Sequence, residues 1–326
     1  MRASPSLGPV STPLVEAVGL TKRYAPRDRQ STGFTAVAGI DFSLHKGEVF
    51  GFLGPNGAGK SSTMGMVACV SPVTAGTLRV LGLDPATDGR QIRSRLGVVP
   101  QDDALDAELT VRENLLIYGR YFGLPKAVTA ARTDELLEFA QLADKAGERV
   151  EALSGGMRRR LTIARSLINS PEILLLDEPT TGLDPQARHV LWDRLFELKE
   201  QGVTLILTTH YMDEAEQLCD RLVVMDGGLI VAEGSPADLI ARHASREVLE
   251  LRLELGTEAV TAEKILAAGI AERLEVLRRG LLCSTDDGEA ALAAVHRLGV
   301  RPVSSLVRRS SLEDVFLSLT GRTLVD

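Results

Sequence analysis

The run Gly54-Pro55-Asn56-Gly57-Ala58-Gly59-Lys60-Ser61 is made of residues suited to holding phosphate. Glycines at 57 and 59 let backbone N–H groups approach phosphate oxygens, and a helix opening behind them presents its positive end. Lys60 reaches toward the β and γ phosphates, and the Ser61 hydroxyl is a ligand for Mg²⁺. The apolar stretch 49–53 precedes the loop and a helical pattern follows it, which is the context a P-loop requires. Alone, the loop implies nucleotide binding and nothing narrower.

Farther along, Ile173-Leu174-Leu175-Leu176-Asp177-Glu178 reads as a buried strand ending in two acids. Asp177 is suited to hold Mg²⁺ and Glu178 to polarise an attacking water. Taken by itself, the pair would as readily cap a neighbouring helix. Upstream, Leu153-Ser154-Gly155-Gly156-Met157 opens the helical run 158–168. A hydroxyl, two glycines and a helix N-terminus form a second anion site, the alternative being a simple capped helix. One nucleotide does not need two such sites. The basic triplet Arg158, Arg159 and Arg160 that follows is expected on a solvated helix face.

These motifs sit on a pattern of short apolar runs alternating with helices, which predicts an α/β fold. Strands are expected at residues 48–53, 96–99, 173–176, 203–207 and 221–225. The stretch 109–170 has no comparable run and reads as helices, so a helical subdomain is placed at about 102–170. Residues 1–13 read as a loose tail without a secretory signal. Ser235-Pro236 opens a helix that closes near residue 242. A half-buried strand pattern then begins at residue 248, so the expected domains are 14–244 and 245–326. The second is predicted to hold a strand at 248–255, a helix near 262–268, a hairpin turning at Arg279-Gly280, a helix at about 289–298 and a last helix after Ser310 or Ser311. On that last helix Leu312, Val315, Phe316 and Leu319 share one face, to be covered by its own domain or by a partner protomer.

The 326 residues carry a formal net charge of −7, with 44% hydrophobic and 25% charged residues, as in an ordinary globular protein. That charge gives no long-range attraction to nucleic acid, and none is expected as a partner. No segment approaches the about 20 apolar residues of a membrane span, so any membrane role must come through another subunit. Cys69, Cys219 and Cys283 lack the spacing of a zinc site or a disulfide framework, which fits a reducing cytoplasm.

Taken together in this order, the motifs resemble those of ABC transporter ATPases over about residues 14–243. The resemblance implies a P-loop NTPase core with an inserted helical subdomain, here followed by a small α+β accessory domain. It assigns Gly54 to Ser62 to the triphosphate, Ser154-Gly155-Gly156 to the ABC signature, and Gly182-Leu183-Asp184 to the D-loop. Gln101 matches the Q-loop, with a role in Mg²⁺ binding and catalysis, and His210 matches the H-loop switch. Tyr24 is a candidate to stack on adenine. Three departures stand out: Ser62 where the family commonly has Thr, Met157 where it commonly has Gln, and an apparent insertion at 25–34.

Leu-Ser-Gly-Gly-Met, the stretch His210-Tyr-Met-Asp-Glu-Ala-Glu216 and residues 311–322 resemble the drug-resistance and nodulation exporters of the ABC-2 type. That implies a head-to-tail dimer of ATPase protomers on separate membrane permease subunits, at the inner face of the cell membrane, exporting an amphiphilic drug or a lipid-linked sugar. Tyr118, Tyr121 and Phe122 would line a groove for the permease or belong to the core. The rival classes are a soluble ABC ATPase acting on ribosomes or DNA, and a P-loop small-molecule kinase. The first usually carries two cassettes or long coiled coils, and the second has no use for Ser154–Gly156.

Overall fold

The computed structural model describes residues 12–26 and 33–321. The expected N-terminal tail lies almost wholly outside the described residues, as does the middle of the apparent insertion. Contacts divide the chain into two compact units, Met1–Glu233 and Gly234–Asp326.

The first unit begins with β1 (Val15–Tyr24), β2 (Phe34–Leu44), β3 (Val49–Leu53), α1 (Lys60–Val67), β4 (Ala75–Val80), α2 (Pro85–Arg93) and β5 (Leu96–Val99). It continues with α3 (Val111–Tyr121), α4 (Lys126–Phe139), α5 (Gly155–Ser166), β6 (Ile173–Asp177), α6 (Pro185–Glu200), β7 (Thr204–Thr209), α7 (Met212–Leu218), β8 (Arg221–Asp226) and β9 (Leu229–Gly234).

The five strands anticipated from apolar runs are neighbours in one six-stranded sheet, ordered β5-β6-β7-β3-β8-β9, and the first five of these run parallel. Every residue of β3 and β7 is buried. Such strands are covered on both faces and read as continuous apolar runs, which is why they were legible. Parallel pairing also brings the ends of β3, β6 and β7 to one edge, with Leu53 opposite Thr209 and Asp177 opposite Thr208. Ligands of open α/β sheets bind at such an edge.

A second, antiparallel sheet, β2-β1-β4, was not resolved in the sequence pattern. Its strands alternate buried and exposed positions, as β1 does. Helix α1 touches β1, β2, β6 and β7, and one core runs through Phe42, Phe50, Phe52, Met66 and Ile206. Between β5 and β6 the chain forms α3, α4, α5 and two short 3-10 turns. Thr110 and Glu113 form a reciprocal capping box at the start of α3.

The second unit contains α8 (Pro236–His243), β10 (Glu247–Arg252), α9 (Glu258–Ala267), β11 (Arg273–Leu277), β12 (Gly280–Thr285), α10 (Gly288–Arg297), β13 (Ser304–Arg309) and α11 (Leu312–Thr320). Its antiparallel sheet is ordered β11-β12-β10-β13, and Leu249, Leu251, Cys283, Ile265 and Val295 fill its core. The domain boundary expected near residues 243–245 falls one helix earlier. Leu239 of α8 is fully buried, and α8 packs against α11, whose Leu312, Val315 and Phe316 are also buried. The apolar stripe of α11 is therefore covered within its own unit. Among the described residues no helix is long and apolar enough to cross a membrane.

Candidate active site

The phosphate loop joins β3 to α1. Gly57 and Gly59 have φ of +82° and +101°, the left-handed region that side chains disfavour. A Cβ on Gly59 would stand 2.4 Å from the Ala36 carbonyl oxygen, and one on Gly54 would stand 2.2 Å from that of Met225. These glycines allow the loop to lie against neighbouring backbone. Lys60 is buried and donates to the carbonyls of Gly54 at 2.6 Å and Pro55 at 3.1 Å. Burial pulls its pKa below the ordinary lysine value, against the opposing pull of Glu178 and Asp177.

Asp177 ends β6 and Glu178 follows it, both beside this loop. Ser61 Oγ donates to Asp177 Oδ1 at 3.1 Å, and the Thr208 hydroxyl donates to the same oxygen. A hydroxyl and a carboxylate oxygen in contact are the two hard protein ligands with which Mg²⁺ joins phosphate oxygens and waters. No group of three or more His, Cys, Asp or Glu side chains stands ready to hold a metal among the described residues. The Ser61 hydroxyl and the Asp177 carboxylate together fit a Mg²⁺ ion.

Glu178 is the centre of the cluster and only 7% exposed. Gln101 Nε2 donates to its Oε2 at 3.3 Å and Thr181 Oγ1 at 3.1 Å. His210 Nδ1 lies 3.2 Å from Oε1, close in distance but outside hydrogen-bond alignment, and Lys60 Nζ lies 3.8 Å from the same oxygen. Its backbone is strained, with φ at +45°; a non-glycine residue there costs about 1–3 kcal/mol and persists only where its surroundings hold it. The Glu178 amide is pinned by the Thr208 carbonyl at 3.2 Å and the Thr208 hydroxyl at 3.0 Å.

One pocket thus gathers Asn56 to Ser62, Gln101 and Glu178, with Phe34 and Ala36 at its rim. Ser154, Gly155 and Gly156 do not line it. Ser154 caps α5, its Oγ accepting from the Met157 amide at 3.3 Å, and Ser154 and Gly155 are exposed. Asp184 likewise caps α6, accepting from the Ala187 amide at 2.9 Å. Tyr24 is not in the pocket lining either. Its ring stacks on Phe34 at 5.2 Å and its hydroxyl lies 3.3 Å from Ser62 Oγ. Phe34 was missed in the sequence because it was read as the last residue of the apparent insertion, where no motif fixed the register.

The arginine triplet expected on a solvated face requires correction. Arg158 and Arg160 are partly exposed, but Arg159 is 4% exposed. Successive helical residues point about 100° apart, and α5 is packed against α3, α4, α6 and β5, so a run of three cannot stay wholly in water.

Glu214, on α7 just past His210, was also missed. It is fully buried, and burial raises its carboxyl pKa above the ordinary 4.5. Thr209, Thr180 and Trp192 offer donors that pull the other way, but neither carboxyl oxygen meets a partner in hydrogen-bond geometry. A raised carboxyl pKa means the folded chain holds the proton more tightly than the unfolded chain. Its stabilising effect is therefore full below the ordinary value and is lost as pH rises toward the folded value. Glu214→Gln should match wild type in thermal unfolding at about pH 4 and exceed it by about 2–4 °C at about pH 8, the shift expected of roughly 1 kcal/mol. Equal melting temperatures at both pH values would show that the buried carboxyl carries no such penalty.

Comparison with known proteins bears directly on this arrangement. A family model described as ABC transporter matches residues 37–181. A second, for the C-terminal domain of the nodulation factor export protein NodI, matches residues 258–321. The Nod factor export ATP-binding protein I of Ralstonia nicotianae is 46% identical over 326 residues, covering 99% of this chain and 98% of that protein. The chain belongs to the ABC transporter ATP-binding family. A protein of the same name from Rhizobium etli is 48% identical over 289 residues, covering 88% of this ABC ATPase and 89% of that relative.

Among solved structures, an ATP-binding cassette dimer in a post-hydrolysis state with ADP and phosphate is similar, with a TM-score of 0.62 and 26% identity. It covers 68% of this chain and 98% of its own. The cbiO1 subunit of an ABC transporter complex from Clostridium perfringens gives a TM-score of 0.63 at 28% identity, covering 71% and 91%. This ABC ATPase is accordingly an ATP-binding, ATP-hydrolysing transporter subunit, and the ribosome, DNA and small-molecule kinase readings find no support. Nor does drug efflux, since the curated relatives are named for Nod factor export.

Proposed function

We propose that two copies of this chain bind two ATP head to tail and drive export of an amphiphilic, lipid-bearing oligosaccharide of the Nod factor kind. Export would run through separate ABC-2 membrane subunits, with the ATPase peripheral on the cytoplasmic face. The observation that carries the dimer is the exposed start of α5. Ser154 and Gly155 offer anion donors that the chain's own nucleotide pocket leaves out. In a dimer of this symmetry each P-loop would face the partner's Ser154 loop across the γ phosphate, and ATP would complete both interfaces.

Within each site the backbone of residues 54–59 cradles the phosphates and Lys60 swings its ammonium toward the β and γ oxygens. Ser61, Asp177 and Gln101 would hold Mg²⁺, which when bound offsets charge on the phosphates. Glu178 accepts a hydrogen bond from the attacking water and aligns it with the γ phosphorus, while Lys60 and His210 counter the charge that builds there. Asp184 would reach the dimer interface from the start of α6, and Tyr24 with Phe34 offers an aromatic face to adenine.

Val70, Tyr118, Tyr121 and Phe122 line an open groove with Arg90 and Arg93 at its edge. Tyr121 is 78% exposed and Val70 74%. That combination favours a permease helix lying in the groove over a purely core role for these aromatics. Tyr121→Asp should leave ATP hydrolysis by the isolated chain unchanged, yet reduce recovery of the membrane subunit with the tagged chain by about tenfold or more, as for a central interface residue. Undiminished recovery from native membranes would place the docking surface elsewhere.

A further inference from the structure

Arg159 is one and a half turns into α5, the helix that Ser154 caps, and its guanidinium is buried against the ends of two other segments. Nε donates to the Pro179 carbonyl at 2.7 Å. Nη1 donates to the carbonyls of Pro100 at 2.5 Å and Gln101 at 3.2 Å. Nη2 donates to those of Asp177 at 3.1 Å and Glu178 at 3.3 Å. A guanidinium has five N–H donors in one rigid plane, and these five contacts match them one for one. Pro100 and Gln101, just past β5, and Asp177 to Pro179, at the end of β6, are thereby held from one plane.

We propose that Arg159 is a positioning residue for hydrolysis, holding the backbone under Glu178 and Gln101 so that their side chains meet the nucleotide at a fixed angle. Three observations support it. Burying a cation is costly, and its nearest carboxylate oxygen, on Asp103, stands 3.8 Å away; packing alone would be served as well by an apolar side chain. The Glu178 backbone is held in the left-handed region, with Thr208 fixing its amide and Arg159 its carbonyl. The Thr181 amide donates to the same carbonyl at 3.3 Å, so losing Arg159 removes one of its two donors and lets the peptide tilt, and the carboxylate with it. Finally, the same side chain grips the carbonyl of Gln101, whose amide donates to Glu178, so one plane sets both ends of that contact.

The inference rests on the reading of Glu178 as the group that orients water, and the test separates the two. Full-length Arg159→Met and Arg159→Lys are compared with wild type for kcat and KM, counted per ATP-binding site by equilibrium binding of labelled ATP, with Glu178→Gln run in parallel. Methionine keeps length and loses every donor; lysine keeps the charge but cannot span the plane. The expected result is a kcat per site lower by about 10²-fold for the methionine variant, the loss typical of a small misplacement of reacting groups. For the lysine variant the loss is about tenfold, with KM changed by less than about threefold in either. Wild-type kcat per remaining site in both variants, whatever their melting temperatures, makes Arg159 a packing residue only and overturns the proposal. If the methionine variant does not fold, the lysine variant decides by the same per-site kcat. Should Glu178→Gln itself turn over at the wild-type rate, it is the reading of Glu178 that fails.

Discussion

Glu178→Gln is expected to bind ATP as wild type does and to hydrolyse it about 10²–10⁴ times more slowly, the usual worth of a positioned base. The substitution removes the negative charge that orients water while keeping an oxygen for Gln101 and Thr181 to donate to. The carboxylate is buried beside Lys60 and His210, so its loss also leaves the Lys60 ammonium less opposed and favours retention of the γ phosphate. The variant should therefore accumulate as an ATP-dependent dimer visible by light scattering with Mg²⁺ and ATP. A monomer that hydrolyses at the wild-type rate would remove Glu178 from the mechanism.

The second large effect is expected at Ser154. In the proposed dimer, replacing it with arginine puts a long cation where the partner's γ phosphate would approach a hydroxyl and two glycine amides. Hydrolysis should fall by at least about 10²-fold, the loss typical when one preorganised donor is removed. Nucleotide binding to the monomer should be unchanged, because Ser154 is exposed and outside the lining of the chain's own pocket. Loss of the cap bond to Met157 lowers stability by only about 1 kcal/mol. Binding of labelled ATP at concentrations too low for dimerisation separates the outcomes. A loss of affinity matching that of Lys60→Ala would mean that Ser154 serves its own chain's nucleotide.

How much of this was legible depended on whether the cause was local. The P-loop was readable because glycine, lysine and serine must follow one another along the chain to wrap a phosphate, and Asp177-Glu178 because a fully buried parallel strand leaves an unbroken apolar run before it. Gln101 and His210 could be assigned only through the resemblance: each is a single residue after a strand, and only the sheet order brings both to Glu178. Arg159 carried no signal at all. Its neighbours are also arginines, and which of the three turns inward is decided by the loops it meets after folding, near positions 100 and 178.

The same division holds for the architecture. Ser235-Pro236 marked the start of α8 correctly because capping is a matter of adjacent residues. The unit to which α8 belongs is settled by its contact with α11, which lies far along the sequence. Strand β13 was missed because its residues, Ser304–Arg309, are polar and mostly exposed, and it exists by pairing with β10. Glu214 lies within a stretch that resembles the exporter branch, yet nothing in that stretch says that its carboxyl faces Thr180 and Trp192 from inside the core.

The central claim, that each nucleotide is held between the P-loop of one chain and the Ser154 loop of another, is most directly tested by cross-linking. Asn56 and Ser154 are both exposed, so Asn56→Cys and Ser154→Cys can be combined in the Glu178→Gln background and treated with a short bismaleimide, the variants carrying only one of the two added cysteines, and the Glu178→Gln chain with its native cysteines alone, serving as controls. A covalent dimer that forms with ATP, and not without it or in any control, is the predicted result. A cross-link confined within one chain, or no dimer with ATP bound, would contradict a site shared between two protomers.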